Sequence, residues 1–143
     1  MNYMIKNISL IFIVLFSIGP LKAQINKTST VNVSLQFPSD GMMPDMIIFL
    51  KEANTGKKYT KFNGVNQNKV SFRNIPKGAY YAYAYVLENN RITDLGGGYT
   101  YAVPCGLDVN CNDHNLIKFP VRSGEIVNNI KVFDWYGANL PEE

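Results

Sequence analysis

The chain has 143 residues, room for one ordinary domain and too few for two. Lysine and arginine number 14 against 11 acidic residues, with one histidine and two cysteines. A single histidine leaves little for metal centres built on several imidazoles, and a formal charge of +3 is a weak argument for an anionic partner.

Met1 to Lys6 forms a short head with one cation, followed by the apolar run Ile8 to Ile18, the helix-breaking pair Gly19-Pro20, and Leu21-Lys22-Ala23 before Gln24. A basic head, an apolar core and a small residue at the junction predict a secretory signal peptide over residues 1–23, cleaved after Ala23. The run is shorter than the ~20 residues needed to span a bilayer, which argues against a transmembrane anchor after processing. Cleavage removes 23 of 143 residues, leaves 120, and takes Lys6 and Lys22 with it. Twelve cations then face 11 acids, so the expectation is no nucleic-acid partner.

The mature chain alternates apolar and polar residues at period two, broken by Gly, Pro, Asn and Asp clusters. Thr30 to Phe37 predicts a half-buried strand with Val31, Val33, Leu35 and Phe37 on one face. Met46 to Glu52 reads as a more central strand, closed by the turn Asn54-Thr55-Gly56. Shorter strands are expected over Lys58–Phe62 and Lys69–Phe72. Ala79 to Leu87 alternates Tyr80, Ala82, Ala84 and Val86 against Tyr81, Tyr83, Tyr85 and Leu87. A long Gly-rich connection then runs from Asn89 to Asp113, with a strand expected around Tyr99 to Val103. Leu116–Val121 and Ile126–Trp135 supply the last strands, joined by Arg122-Ser123-Gly124. About seven short strands at this spacing predict an all-β, Greek-key-type two-sheet sandwich over residues 24–143.

Phe72-Arg73-Asn74-Ile75-Pro76-Lys77-Gly78-Ala79-Tyr80, with the earlier Thr55-Gly56 turn and Tyr59, resembles the carboxypeptidase regulatory-like, or prealbumin-like, sandwich family. Pro76 presets φ for the turn, Gly78 is expected to permit a backbone conformation other residues resist, and Tyr80 to bury its ring while its hydroxyl meets backbone. The resemblance covers about residues 30–87 and implies an accessory, folding or adhesion module. In the second half, Cys105-Gly106-Leu107, Cys111-Asn112-Asp113-His114 and Asp134-Trp135-Tyr136 resemble motifs of a group of small uncharacterised secreted bacterial proteins, which implies no activity.

Cys105 and Cys111, a close pair in an exported chain, are expected to form a disulfide worth roughly 2–2.5 kcal/mol by loop closure. Read instead as thiolates beside His114, they would make a metal-dependent hydrolase; a structural zinc site wants four protein ligands and a catalytic one three plus an open position. The expected role of His114 is to fix the loop by a hydrogen bond to Asp113 or a backbone carbonyl. Asp108, Asn110 and Asn112 have the one-three-five spacing of a calcium loop, but Asp113 replaces the glycine and Phe119 stands at the twelfth position. A turn rich in Asx residues is the expectation there.

No Gly-x-Ser-x-Gly is present, and any Ser-His-Asp set would have to use His114. Hydroxyisourate hydrolases, the enzymatic branch of the prealbumin fold, carry several active-site histidines and a Tyr-Arg-Gly-Ser terminus that this chain lacks. The stripe Tyr81, Tyr83, Tyr85 is the candidate binding surface, a band about 14 Å long at ~3.4 Å per residue. Exposed, it would suit sugar rings or a protein; otherwise, as is common for tyrosines on sandwich strands, the rings cover cross-strand neighbours or lie beneath a loop, and the second reading is favoured. Trp135-Tyr136 is expected to close the core. The sequence thus predicts an exported non-catalytic module, binding a protein or polysaccharide of the cell envelope or supporting its structure, with no cofactor, no metal and no catalytic residue. A carbohydrate-binding module working through the tyrosine band is the alternative.

Overall fold

A computed structural model describes residues 27–39 and 41–143. The expected signal peptide, 1–23, lies outside the described residues. Eight strands and one helical turn follow in chain order: β1 (Ser29–Leu35), β2 (Met46–Glu52), β3 (Lys58–Phe62), β4 (Lys69–Ile75), β5 (Gly78–Glu88), β6 (Arg91–Gly98), α1 (Ala102–Cys105), β7 (Phe119–Val121) and β8 (Ile126–Val132). They form a three-stranded sheet in the order β4-β1-β8 and a five-stranded sheet in the order β3-β2-β5-β6, with β7 paired to the start of β5. The fold is an all-β two-sheet sandwich.

Alternation decides which side chains enter the space between the sheets. Val31, Val33 and Leu35 of β1 are buried while the residues between them are half-exposed. Met46, Ile48 and Leu50 of β2 face them from the other sheet, joined by Tyr80, Ala82, Ala84 and Val86 of β5. The apolar run of β2 sits between β3 and β5, as an interior strand should. In the small sheet β1 is central, antiparallel to β4 and parallel to β8.

The turn before β5 behaves as its residues suggest, with one correction. Tyr80 is 1 % exposed and its hydroxyl donates to the Pro76 carbonyl at 2.9 Å. Gly78, however, has no positive φ; that conformation falls to Asn74, at 61°. What Gly78 supplies is clearance, since a Cβ there would stand 3.2 Å from the Tyr80 ring.

The Gly-rich stretch differs from expectation. Residues 91–98 form an edge strand, β6, with Gly98, Gly97 and Gly96 opposite Tyr83, Ala84 and Tyr85. The glycines are there because rings lie directly on the strand: a Cβ at Gly97 would come within 2.5 Å of Trp135 Cε2. The strand expected over Tyr99–Val103 is instead the single turn α1. Pro104 costs it no hydrogen bond because the first turn of a helix leaves its N–H groups unpaired. Gly106, at φ 108°, closes the turn by donating to the Ala102 and Val103 carbonyls. Toward the end of the chain, β7 and β8 are shorter than the runs expected, and Leu116 and Asp134 each make an isolated bridge.

Candidate functional site

Beyond β6 the chain makes an excursion, residues 99–117, whose two legs are tied together at the root. Thr100 and Leu116 form an antiparallel bridge, Tyr101 N–H donates to the Asn115 carbonyl at 3.1 Å, and Ile117 N–H donates to the Tyr99 carbonyl at 2.8 Å. At the tip, Cys105 and Cys111 are joined by a disulfide. Between them Leu107 holds the left-handed conformation at φ 56°, fixed by its N–H to the Ala102 carbonyl at 2.9 Å. An aliphatic residue in that region is strained and persists only because its surroundings impose it.

The segment after β8 returns to this excursion. Ile130, Val132 and Asp134 continue the inward face of the strand, so a carboxyl takes the place of the next core side chain. Asp134 is fully buried and its backbone pairs with Gly98 in both directions, at 2.9 and 3.2 Å. Burial obliges the carboxyl to find partners. Its Oδ2 accepts from the Thr100 hydroxyl at 2.6 Å and lies 2.7 Å from His114 Nδ1; its Oδ1 accepts from Tyr136 N–H at 3.2 Å. A carboxylate only accepts, so the network assigns the proton to Nδ1, and a neutral imidazole then presents Nε2 as an acceptor. Asn139 N–H adds a bond to the His114 carbonyl at 3.1 Å. The imidazole is thereby held in position and tautomer.

His114 looks onto a cleft of about 430 Å³ lined also by Leu107, Asp108, Val109, Cys111, Asn112 and Tyr136. Its rim is apolar and exposed: Val109 is 90 % accessible and Tyr136 is 70 %. Trp135, next in chain to Tyr136, does the opposite. It is buried in the core, edge-on to Phe37, with its indole N–H donating to the Gln36 carbonyl at 2.5 Å. Of the pair expected to close the core, Trp135 closes it and Tyr136 opens onto the cleft.

The tyrosine stripe is not the exposed band that alternation suggests. Tyr83 is 0 % and Tyr85 8 % exposed, while Tyr81 stays half-buried. Their face of the large sheet is covered by residues 138–143. Tyr83 stacks on Phe49 at 5.1 Å, Tyr85 meets both edge-on, and Leu116 and Leu140 pack over the cluster. The hydroxyls are capped by the same segment: Tyr83 donates to Glu143 Oε1 and Tyr85 to the Pro141 carbonyl, each at 2.5 Å. Lys58 Nζ pairs with the other Glu143 oxygen at 2.5 Å. Burial, with Glu143 adding its charge, pushes both phenols up, Tyr83 well above its ordinary range. Two of the three phenols thus belong to a second small core, the covered alternative of the sequence reading, because residues 138–143 lie across them.

The other residues singled out in the sequence lie around the cleft. The two sulfurs are bonded to each other and offer His114 no thiolate partner. His114 turns to Asp134, twenty residues on, rather than to Asp113 or a backbone carbonyl. Asp108 Oδ1 accepts from Asn110 N–H and Nδ2, at 3.1 and 2.8 Å, and Asp113 does the same for Asn115, so both are Asx turns. Among the described residues no group of three or more His, Cys, Asp or Glu side chains is placed to hold a metal. Nor is any described helix long and apolar enough to cross a membrane. Sequence reasoning missed the Asp134–Thr100–His114 network. Its signal was the period-two continuation from Ile130 through Val132, which places Asp134 inward.

Comparison with protein families, with curated proteins and with solved structures found no match to this chain.

Proposed function

We propose that the chain is an exported, non-catalytic β-sandwich module that binds a protein or polysaccharide of the cell envelope, and that it binds through the His114 cleft. The observation carrying this reading is the fixed imidazole: a fully buried carboxyl, itself held by Thr100 and Tyr136, fixes His114 in the lining of a cleft of mixed apolar and polar side chains. Such preorganisation reduces the ordering cost of recognition. The disulfide supports export, since such bonds persist in oxidising compartments, and the residues 1–23 pattern supplies the address.

The donor set favours binding over covalent catalysis. No serine, threonine or free cysteine lines the cleft, and the Thr100 hydroxyl donates to the same Asp134 oxygen that His114 meets rather than to the imidazole. The test is retention of the mature chain by an envelope fraction of the source organism, with wild type, His114→Ala and Tyr136→Ala compared. Loss of retention in both variants, with melting temperatures kept, is the expected result. Retention unchanged in both, or turnover of a substrate that depends on His114, would overturn the reading.

A further inference from the structure

We propose that the ligand of the cleft is a neutral saccharide, with Tyr136 as the stacking platform and His114, Asn112 and Asp108 as the hydrogen-bonding edge. This rests on the reading above that the cleft is the binding site.

The polar groups around the cleft are uncommitted. Neither the Asn112 amide nor the Tyr136 hydroxyl makes a hydrogen bond within the described residues; His114 uses only Nδ1 and Asp108 only Oδ1. What remains is an imidazole acceptor at Nε2, a carboxylate acceptor at Asp108 Oδ2, an amide that donates and accepts, and a phenol that does both. An array weighted toward acceptors wants a ligand with several donors, and adjacent hydroxyl groups satisfy it. The apolar side of the cleft wants a ring. Tyr136 holds an exposed aromatic face beside these groups, with its own N–H tied to Asp134 at 3.2 Å. One face of C–H groups and an edge of hydroxyls is the chemistry of a sugar ring.

Charge narrows the class. No lysine or arginine lines the cleft, so a phosphate, carboxylate or sulfate would meet Asp108 without a counter-ion. A neutral ring meets no such penalty. The volume, about 430 Å³, falls among small-ligand sites, which run roughly 300–1,000 Å³. The strained Leu107 and the disulfide keep the wall on one side rigid. The buried Asp134 keeps the floor rigid on the other.

The experiment screens the purified mature chain against immobilised neutral gluco-, galacto- and manno-oligosaccharides, with phosphorylated sugars and amino sugars as separate arms. Titration calorimetry follows on any hit. Expected is binding to a neutral oligosaccharide that Tyr136→Ala weakens by about 10-fold or more, as loss of one aromatic stacking contact predicts. Tyr136→Phe should retain most of that binding, and His114→Ala should weaken it comparably. The melting temperature of Tyr136→Ala should stay at the wild-type value because the ring is exposed.

Preference for amino or phosphorylated sugars, or saccharide binding indifferent to Tyr136→Ala, overturns the neutral-ring assignment. The envelope experiment separates the two levels. If His114→Ala and Tyr136→Ala abolish envelope retention while no neutral saccharide binds or competes, the ligand class falls and the cleft stands as the site. If retention survives both substitutions, both fall together.

Discussion

Replacing Asp134 with alanine should be among the most damaging single changes outside the aliphatic core. Three donors converge on this carboxyl: the Thr100 hydroxyl, His114 Nδ1 and Tyr136 N–H. Thr100 is 0 % exposed, so its hydroxyl would be left without a partner or water, at a cost of about 1–3 kcal/mol. His114 retains 31 % side-chain accessibility and can turn to water, so its loss adds roughly 0.5–1 kcal/mol. Together the destabilisation is about 2–4 kcal/mol, or roughly 6–20 °C in melting temperature for a domain of this size. Asp134→Ala combined with Thr100→Val removes the orphaned hydroxyl as well, and should recover about half of the loss. The assay is urea unfolding of wild type, both single variants and the double, with equal slopes required before midpoints are compared. If Asp134→Ala lies within about 0.5 kcal/mol of wild type, or if the two substitutions simply add, the buried network is not as described.

Gly97→Ala would drive a methyl into the Trp135 indole, which its hydrogen bond to Gln36 keeps from yielding. It should cost about 1–3 kcal/mol in thermal or urea unfolding, and a neutral outcome would mean Trp135 does not lie on β6. In alkali, the sign follows from the buried phenols. Burial raises Tyr83 and Tyr85 and pushes Tyr80 up to about 12, so the native state holds protons the unfolded chain releases near ~10. The stability they contribute is complete below the unfolded value and declines as pH rises from there toward 12. Their phenolate absorbance should therefore arrive together with loss of the β-sheet circular dichroism; ionisation with the sheet intact would refute the burial. Replacing both Cys105 and Cys111 with serine should cost about 2 kcal/mol by loop closure and leave the sheet spectrum unchanged. A thiol assay on native wild type should find no free sulfhydryl, since both cysteines are paired.

Much of the sandwich could be read from alternation because each strand has one wet face and one dry one. Val31, Val33 and Leu35 announce β1 this way, and the continuous run of β2 announces an interior position. Alternation fails where a second layer covers the wet face. Tyr83 and Tyr85 carry the pattern of an exposed stripe, yet a segment with no period of its own lies over them. It fails again at Gly96-Gly97-Gly98, where composition says loop and three rings or side chains from elsewhere require a bare strand. The cleft was half legible. Cys105, Cys111, His114 and Tyr136 were all singled out as types, but the residue that organises them is Asp134, and its partners lie 20 and 34 residues away. Local spacing carries no information about such pairs.

The parallel pairing of β1 with β8 sets a schedule for the molecule. Thr30 and Ile126 are neighbours in the sheet, so the middle strand of the smaller layer waits for a segment that follows every strand of the larger one. Until then β1 has only β4 beside it, and two paired strands are marginal in water. Closing so long a span before its contacts form makes assembly slow. Of the smaller layer only the β1–β4 pair can form before β8 is present, whereas every strand of the larger layer precedes it.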